Sequence, residues 1–263
     1  MGPNPRLRPV TPDTPMKTRL AAGETLFGTF LTLGSPLAAE SLGLAGFDWL
    51  LVDLEHGGGH ESQLLGQLLG ATAAGVHALV RVESDVRGRT ARALDLGVEG
   101  VMCPQVNSSE AAEAWAGTLH YGPAGSRGIA FFHRGARFGT DPEPVEHARQ
   151  RVLGIAQIES PEAVEAVEEI AAIDGIDVLF VGPSDLSYSM GRFRQFDDPA
   201  FRSAIERVVT AANDAGKTAG IFLASPDEVP SAIADGFRMI AIGSDGGFMM
   251  QAARAAVEQA RGA

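Results

Sequence analysis

Eight short apolar runs punctuate the chain, and the residues between them read as helices. The runs cover residues 26–31, 49–53, 78–82, 100–103, 152–157, 178–181, 218–222 and 239–242. Each is close to continuously hydrophobic rather than alternating, which is the pattern of strands covered on both faces. Stretches rich in Ala, Leu and Glu separate them. Strands alternating with helices predict a parallel sheet, and eight such strands predict a closed (β/α)8 barrel, the TIM-barrel fold. An open doubly wound sheet is the alternative reading of the same alternation. The final segment, residues 247–261, is an alanine-rich helix that either completes the barrel or docks on a neighbouring subunit.

Two stretches depart from this rhythm. Residues 117–150 form a longer insert between strands four and five, with GPAGSRG at 122–128 and FFHRGARFG at 131–139. Long loops in compact domains are functional or disordered. Glycine, arginine and aromatic content here predicts an ordered active-site or subunit-contact loop. Residues 1–16 carry five prolines and no apolar centre, so they read as a flexible leader rather than a secretory signal. The expected organisation is a leader over 1–19 and one barrel domain over 20–263.

Composition narrows the partners. The chain has 263 residues, within the range of one barrel, and a formal net charge of −12. That balance argues against nucleic acid, which needs a basic face. A single cysteine, Cys103, excludes an internal disulfide framework and a cysteine-based zinc site. No run approaches the roughly 18 consecutive apolar residues of a membrane span. The expected location is the cytoplasm.

Barrel enzymes place their chemistry just after the strands. Strand two runs into Asp53-Leu54-Glu55-His56, strand three ends at Arg81 and strand four at Pro104-Gln105. Strand five supplies Gln157 and Glu159, and strand six Gly182-Pro183-Ser184-Asp185. Glu159 and Asp185 emerge from neighbouring strands on one rim. Either could simply cap the helix that follows it. As a pair they predict ligation of a Mg²⁺-like ion, with substrate and water completing the shell. His56 could be an ordinary loop histidine, but Asp53 could hold one ring nitrogen and leave the other free as a base. Arg81 could neutralise nearby acids or stabilise an enolate or carboxylate. His60, His77, His120 and His147 show no ligand spacing and receive no role, and only its loop singles out His133. The chain's two lysines, Lys17 and Lys217, lie near the leader and just before strand seven. Neither is placed for a Schiff base, so an aldolase-type barrel here needs a metal as electron sink.

Six motifs share one further property. FDWLLVDLEHG (47–57), VRVE (80–83), GVMCPQV (100–106), GPAGSRG (122–128), QIESPEA (157–163) and VGPSDLS (181–187) resemble, in order, the HpcH/HpaI aldolase family of metal-dependent pyruvate aldolases. The resemblance spans about residues 20–256. It implies a (β/α)8 barrel whose last helix exchanges between subunits of a homohexamer, a trimer of dimers. It implies Mg²⁺, Mn²⁺ or Co²⁺ on Glu159 and Asp185, and proton transfer by His56 oriented by Asp53. Arg81 would stabilise the enolate, the amides of Ser184 and Asp185, after Gly182-Pro183, would hold the pyruvate carboxylate, and Gln157 would line the same pocket. Two departures stand out. The Gly57-Gly58-Gly59 run predicts a more mobile loop, and Val82 stands where the family often has proline.

The implied reaction is reversible cleavage of a 4-hydroxy-2-oxo acid to pyruvate and an aldehyde through a metal-stabilised enolate, with small molecules as the only substrates. An oxaloacetate decarboxylase would use the same enolate site. A non-catalytic oxo-acid-binding barrel would not need the His56 and Asp53 pair. The aldehyde preference is expected to depend on the 117–150 insert and on a neighbouring subunit.

Overall fold

A computed structural model describes residues 14–262. The eight apolar runs are the strands of one closed parallel barrel: β1 (Leu26–Leu31), β2 (Trp49–Asp53), β3 (His77–Arg81), β4 (Gly100–Cys103), β5 (Leu153–Ile158), β6 (Val178–Val181), β7 (Thr218–Leu223) and β8 (Met239–Ser244). Each pairs with its sequence neighbour, and β8 closes on β1, which rules out the open sheet. Runs one, two, four and six match their strands to the residue; β3 and β5 shift by one, and β7 and β8 extend further.

The helices are α1 (Met16–Ala21), α2 (Pro36–Leu44), α3 (Glu61–Ala73), α4 (Arg87–Leu96), α5 (Ser109–Leu119), α6 (Pro144–Arg151), α7 (Pro161–Glu165), α8 (Val167–Ala171), α9 (Pro183–Ser189), α10 (Pro199–Asp214), α11 (Val229–Asp235) and α12 (Asp245–Gly262). Their starts carry local signals. Ser35, Ser108, Ser160 and Asp198 accept backbone N–H groups of α2, α5, α7 and α10, satisfying donors that a helix start leaves unpaired.

Two apolar layers follow from the strand alternation. Side chains such as Trp49, Leu51, Leu79, Ile155 and Phe180 fill the barrel interior, while a second layer joins the outer strand faces to the helices. Residues 1–13 of the expected leader lie outside the described residues. Helix α1 begins inside the stretch assigned to the leader, and its Met16 and Leu20 are buried in the interior cluster. The Met16 N–H donates to Glu99 at 2.7 Å, and Lys17 pairs with Asp177 at 2.8 Å. Both lysines therefore sit at the strand-start end, as the imine argument required.

The active-site reading of the insert needs correction. Helix α5 carries the chain back to the strand-start end before the insert begins to wander. Arg134 there donates to the Leu96 carbonyl and the Thr72 hydroxyl, at the ends of α4 and α3. The insert is ordered, but it does not line the site of its own barrel. Among the described residues no helix is long and apolar enough to cross a membrane.

Candidate active site

Strand register builds the centre of the rim. Asp53 and Arg81 are aligned neighbours at the ends of β2 and β3. Arg81 Nε donates to Asp53 Oδ1 at 3.0 Å and Nη2 to Oδ2 at 2.8 Å, a bidentate fork with both residues buried. Arg81 Nη1 lies 3.1 Å from Glu55 Oε2 and donates to Gln157 Oε1 at 3.4 Å. Phe30 lies under the guanidinium, 5.2 Å from its ring centroid. Burial alone would lower the Arg81 pKa, but Asp53, helped by Glu55 and Glu159, holds it above its ordinary value. The cation is fixed in place and permanently charged.

This overturns one sequence expectation. Asp53 does not hold the His56 ring: its carboxylate is taken by Arg81 and by the backbone N–H groups of Glu55 and His56, at 3.1 and 3.3 Å. His56 projects outward with its side chain 67% exposed, and its Nε2 lies 3.8 Å from Glu55 Oε2. The loop beneath it is not loose either. A Cβ on Gly57 would stand 2.2 Å from the Asp53 carbonyl, and the Gly58 N–H donates to the Thr32 carbonyl at 2.7 Å. Glycine permits this close backbone approach.

Glu159 follows β5 and is buried. Its Oε1 accepts the Gln105 N–H at 2.8 Å, and its Oε2 is contacted by the Gln157 amide nitrogen. Gln105 reaches it from a left-handed backbone, φ 53°. Gly182 leaves room for the carboxylate, since a Cβ there would meet Glu159 Oε2 at 2.7 Å. Pro183 opens α9, and Ser184 and Asp185 are exposed on its first turn. The structure thus gathers Asp53, Arg81, Gln157 and Glu159 into one contact chain, with Asp185 in electrostatic range of Glu159 and His56 at the edge.

The residual charge is negative. Burial, reinforced by Asp185 and Glu55 against the Gln105 N–H and Arg81, pushes the Glu159 carboxyl up to about 7. Burial also raises Glu55, against Arg81 and His56. Glu55 Oε2 has no hydrogen bond. Among the described residues no three His, Cys, Asp or Glu side chains form a complete metal cluster. Two hard carboxylates, Glu159 and Asp185, still fit a divalent cation that takes further oxygens from substrate and water.

The HpcH/HpaI aldolase/citrate lyase family model matches residues 26–252. The chain belongs to that family. The hydroxypyruvate/pyruvate aldolase of Paraburkholderia phytofirmans is 37% identical over 94% of this chain and 97% of its own. The 5-keto-4-deoxy-D-glucarate aldolase of Klebsiella pneumoniae is 34% identical over 90% and 92%. A solved HpcH/HpaI aldolase/citrate lyase family protein from Burkholderia cenocepacia superposes with a TM-score of 0.89 at 34% identity, covering 94% of this chain and 98% of that one.

In this HpcH/HpaI barrel, two rim groups carry more than the sequence assigned them. Glu55 is a second anion against Arg81. Asp245, after β8, accepts the Thr32 N–H and hydroxyl at 2.8 Å each and the Leu33 N–H at 3.2 Å, tying α12 to the loop after β1. The rule that located the other residues, polar groups just past an apolar run, applies to Asp245 as well.

Proposed function

We propose that this HpcH/HpaI protein cleaves a 4-hydroxy-2-oxo acid reversibly into pyruvate and an aldehyde. It is a carbon–carbon lyase. The supporting observation is the Arg81 guanidinium, fixed by Asp53 and Glu55 beside an acid pair that carries excess negative charge. A preorganised cation costs no reorientation when charge develops on substrate oxygen.

Glu159 and Asp185 hold the divalent cation, Mg²⁺, Mn²⁺ or Co²⁺, which supplies Lewis acidity at the oxo-acid end. Arg81 commits N–H groups to Asp53, Gln157 and Glu55, and its remaining Nη2 N–H is offered to the enolate oxygen. Gln157 bridges Arg81 and Glu159 and keeps both in register. The N–H groups of Ser184 and Asp185, in the first turn of α9, receive the carboxylate. His56, exposed at the rim, removes the C4 hydroxyl proton. The C3–C4 bond breaks, its electron pair forms the enolate, and a proton added at C3 completes pyruvate.

The enzyme works as a cytoplasmic homohexamer with α12 exchanged between subunits. Every α12 residue from 249 to 262 is exposed, and Leu37 and Leu44 on α2 are 76% and 66% exposed. Such apolar surfaces suit a neighbouring subunit.

The deciding experiment is pyruvate release from 4-hydroxy-2-oxo acids by EDTA-treated protein, with Mg²⁺, Mn²⁺ or Co²⁺ restored. Metal-dependent cleavage is expected. Absence of pyruvate with every metal would remove the aldolase reading.

A further inference from the structure

At the strand-start end, opposite the catalytic rim, a cavity of about 960 Å³ opens between the beginnings of β3 and β4 and the 117–150 insert. Its charge runs against that of the molecule. The chain carries −12 overall, yet Arg127, Arg134 and Arg137 line this cavity beside two carboxylates, Glu99 and Asp141. Both acids are engaged. Glu99 takes the Met16 N–H at 2.7 Å and His77 Nδ1 at 2.5 Å, and Asp141 takes His147 Nδ1 at 2.6 Å.

Arg134 and Arg127 are not so well matched. Arg134 donates only to neutral oxygens, the Leu96 carbonyl at 2.9 Å and the Thr72 hydroxyl at 2.8 Å, and no carboxylate pairs with it among the described residues. Arg127 gives Nη2 to Asp95 at 2.8 Å and stacks 4.5 Å over the Tyr121 ring, but its Nε has no partner. The Arg127 side chain is more than nine-tenths buried, at 6% residue exposure. An unpaired buried donor is rare because it forfeits its hydration. One in the wall of this cavity, beside an Arg134 that has no carboxylate among the described residues, marks a place for an acceptor.

The remaining wall selects the acceptor's body. Leu68, Val76, Leu94 and Val98 supply apolar surface, and Phe138 stands at the insert side. Guanidinium groups match the planar carboxylate fork, and the apolar wall favours a hydrocarbon or aromatic body over a fully hydrated ion. We propose that this cavity binds a small organic carboxylate with an apolar body, at a site separate from the catalytic rim. The cavity is independent of the proposed reaction.

The test uses the full chain and 4-fluorophenylacetate, followed by fluorine NMR, with neutral 4-fluorophenylacetamide and inorganic phosphate as controls. Saturable binding of one carboxylate per chain is expected, with the amide and phosphate much weaker. Arg134→Gln should weaken binding about tenfold, the loss of one charged hydrogen bond. Arg137→Gln alters an exposed side chain, leaves the packing intact, and should weaken it about threefold. It decides the matter if Arg134→Gln fails to fold. Equal affinity for the amide or for phosphate would overturn the proposal. So would wild-type affinity in the folded arginine variants, or no saturable binding at all.

Discussion

Strand β3 begins at His77 and ends at Arg81, and each end is tied to a carboxylate: His77 to Glu99, Arg81 to Asp53. Beyond those pairs the two ends diverge. At the rim, Glu55, Glu159 and Asp185 outnumber the one arginine, and burial with mutual repulsion lifts Glu159 to about 7. At the opposite end, arginines line the cavity, and the buried Arg127 Nε lacks an acceptor. One barrel thus presents excess carboxylate at one end and guanidinium groups at the other. Net charge conceals this, because the two imbalances partly cancel.

The sharpest way to break the contrast is at Arg81. Arg81→Ala should lower kcat/KM for pyruvate release by about 10²–10³-fold. It should also cost about 3–5 kcal/mol of stability, because Asp53 is left charged and buried without its partner. His56→Ala provides the control. Its exposed ring should lose about 10²–10⁴-fold in rate with an unchanged melting temperature. A stable, fully active Arg81→Ala would dismantle the rim as described.

Glu159→Gln should separate function from stability. Metal-stimulated turnover should vanish, while metal-free protein at about pH 8 should match the wild type or gain up to about 1 kcal/mol. The sign follows from the raised carboxyl: ionising it in the folded state opposes folding, and the neutral amide removes that penalty. Thermal unfolding in EDTA measures it, and marked destabilisation would mean that Glu159 is a structural anion.

Acid should act more gently, and at the other end. Burial, then Lys17, holds His120 below its ordinary pKa against Asp177 and Asp174. A depressed histidine contributes stability above its unfolded value, lost as pH falls through the folded one. The melting temperature should drop by a few degrees at most as pH falls from about 7 to about 5. His120→Gln should flatten that slope. Smallest of all is the effect at Cys103, whose thiol burial, with Asp85, Glu55 and Glu159, pushes up to about 12. At about pH 8 it should resist alkylation until the protein unfolds; rapid labelling of native protein would show the rim to be open.

Local pattern disclosed the parts whose causes are local. Continuous apolar runs located the strands, and acids just past them located Glu159 and Asp185. The partner of Asp53 was hidden, because it is set by β2–β3 register rather than by the three-residue spacing to His56. The side on which the insert lies was hidden for a similar reason, since α5 reverses the chain before the insert starts. Glu55 stood in the same strand-end segment, but its role depends on where Arg81 reaches. Helix α1 is short and proline-flanked, and only the open bottom of the barrel gives Met16 and Leu20 a place to be buried.

Asp245 sets a direction as well as a contact. Its carboxylate gathers the Thr32 N–H and hydroxyl, the Leu33 N–H and the Gly246 N–H at the root of α12. The helix beyond it has 18 residues and is therefore about 27 Å long. A tilt of about 10° at that root would move the tip by about 5 Å, nearly one helical turn, so the Asp245 carboxylate, with Phe248 stacked on Phe47 and the Gly247 N–H on Ser244, sets the aim of the whole arm.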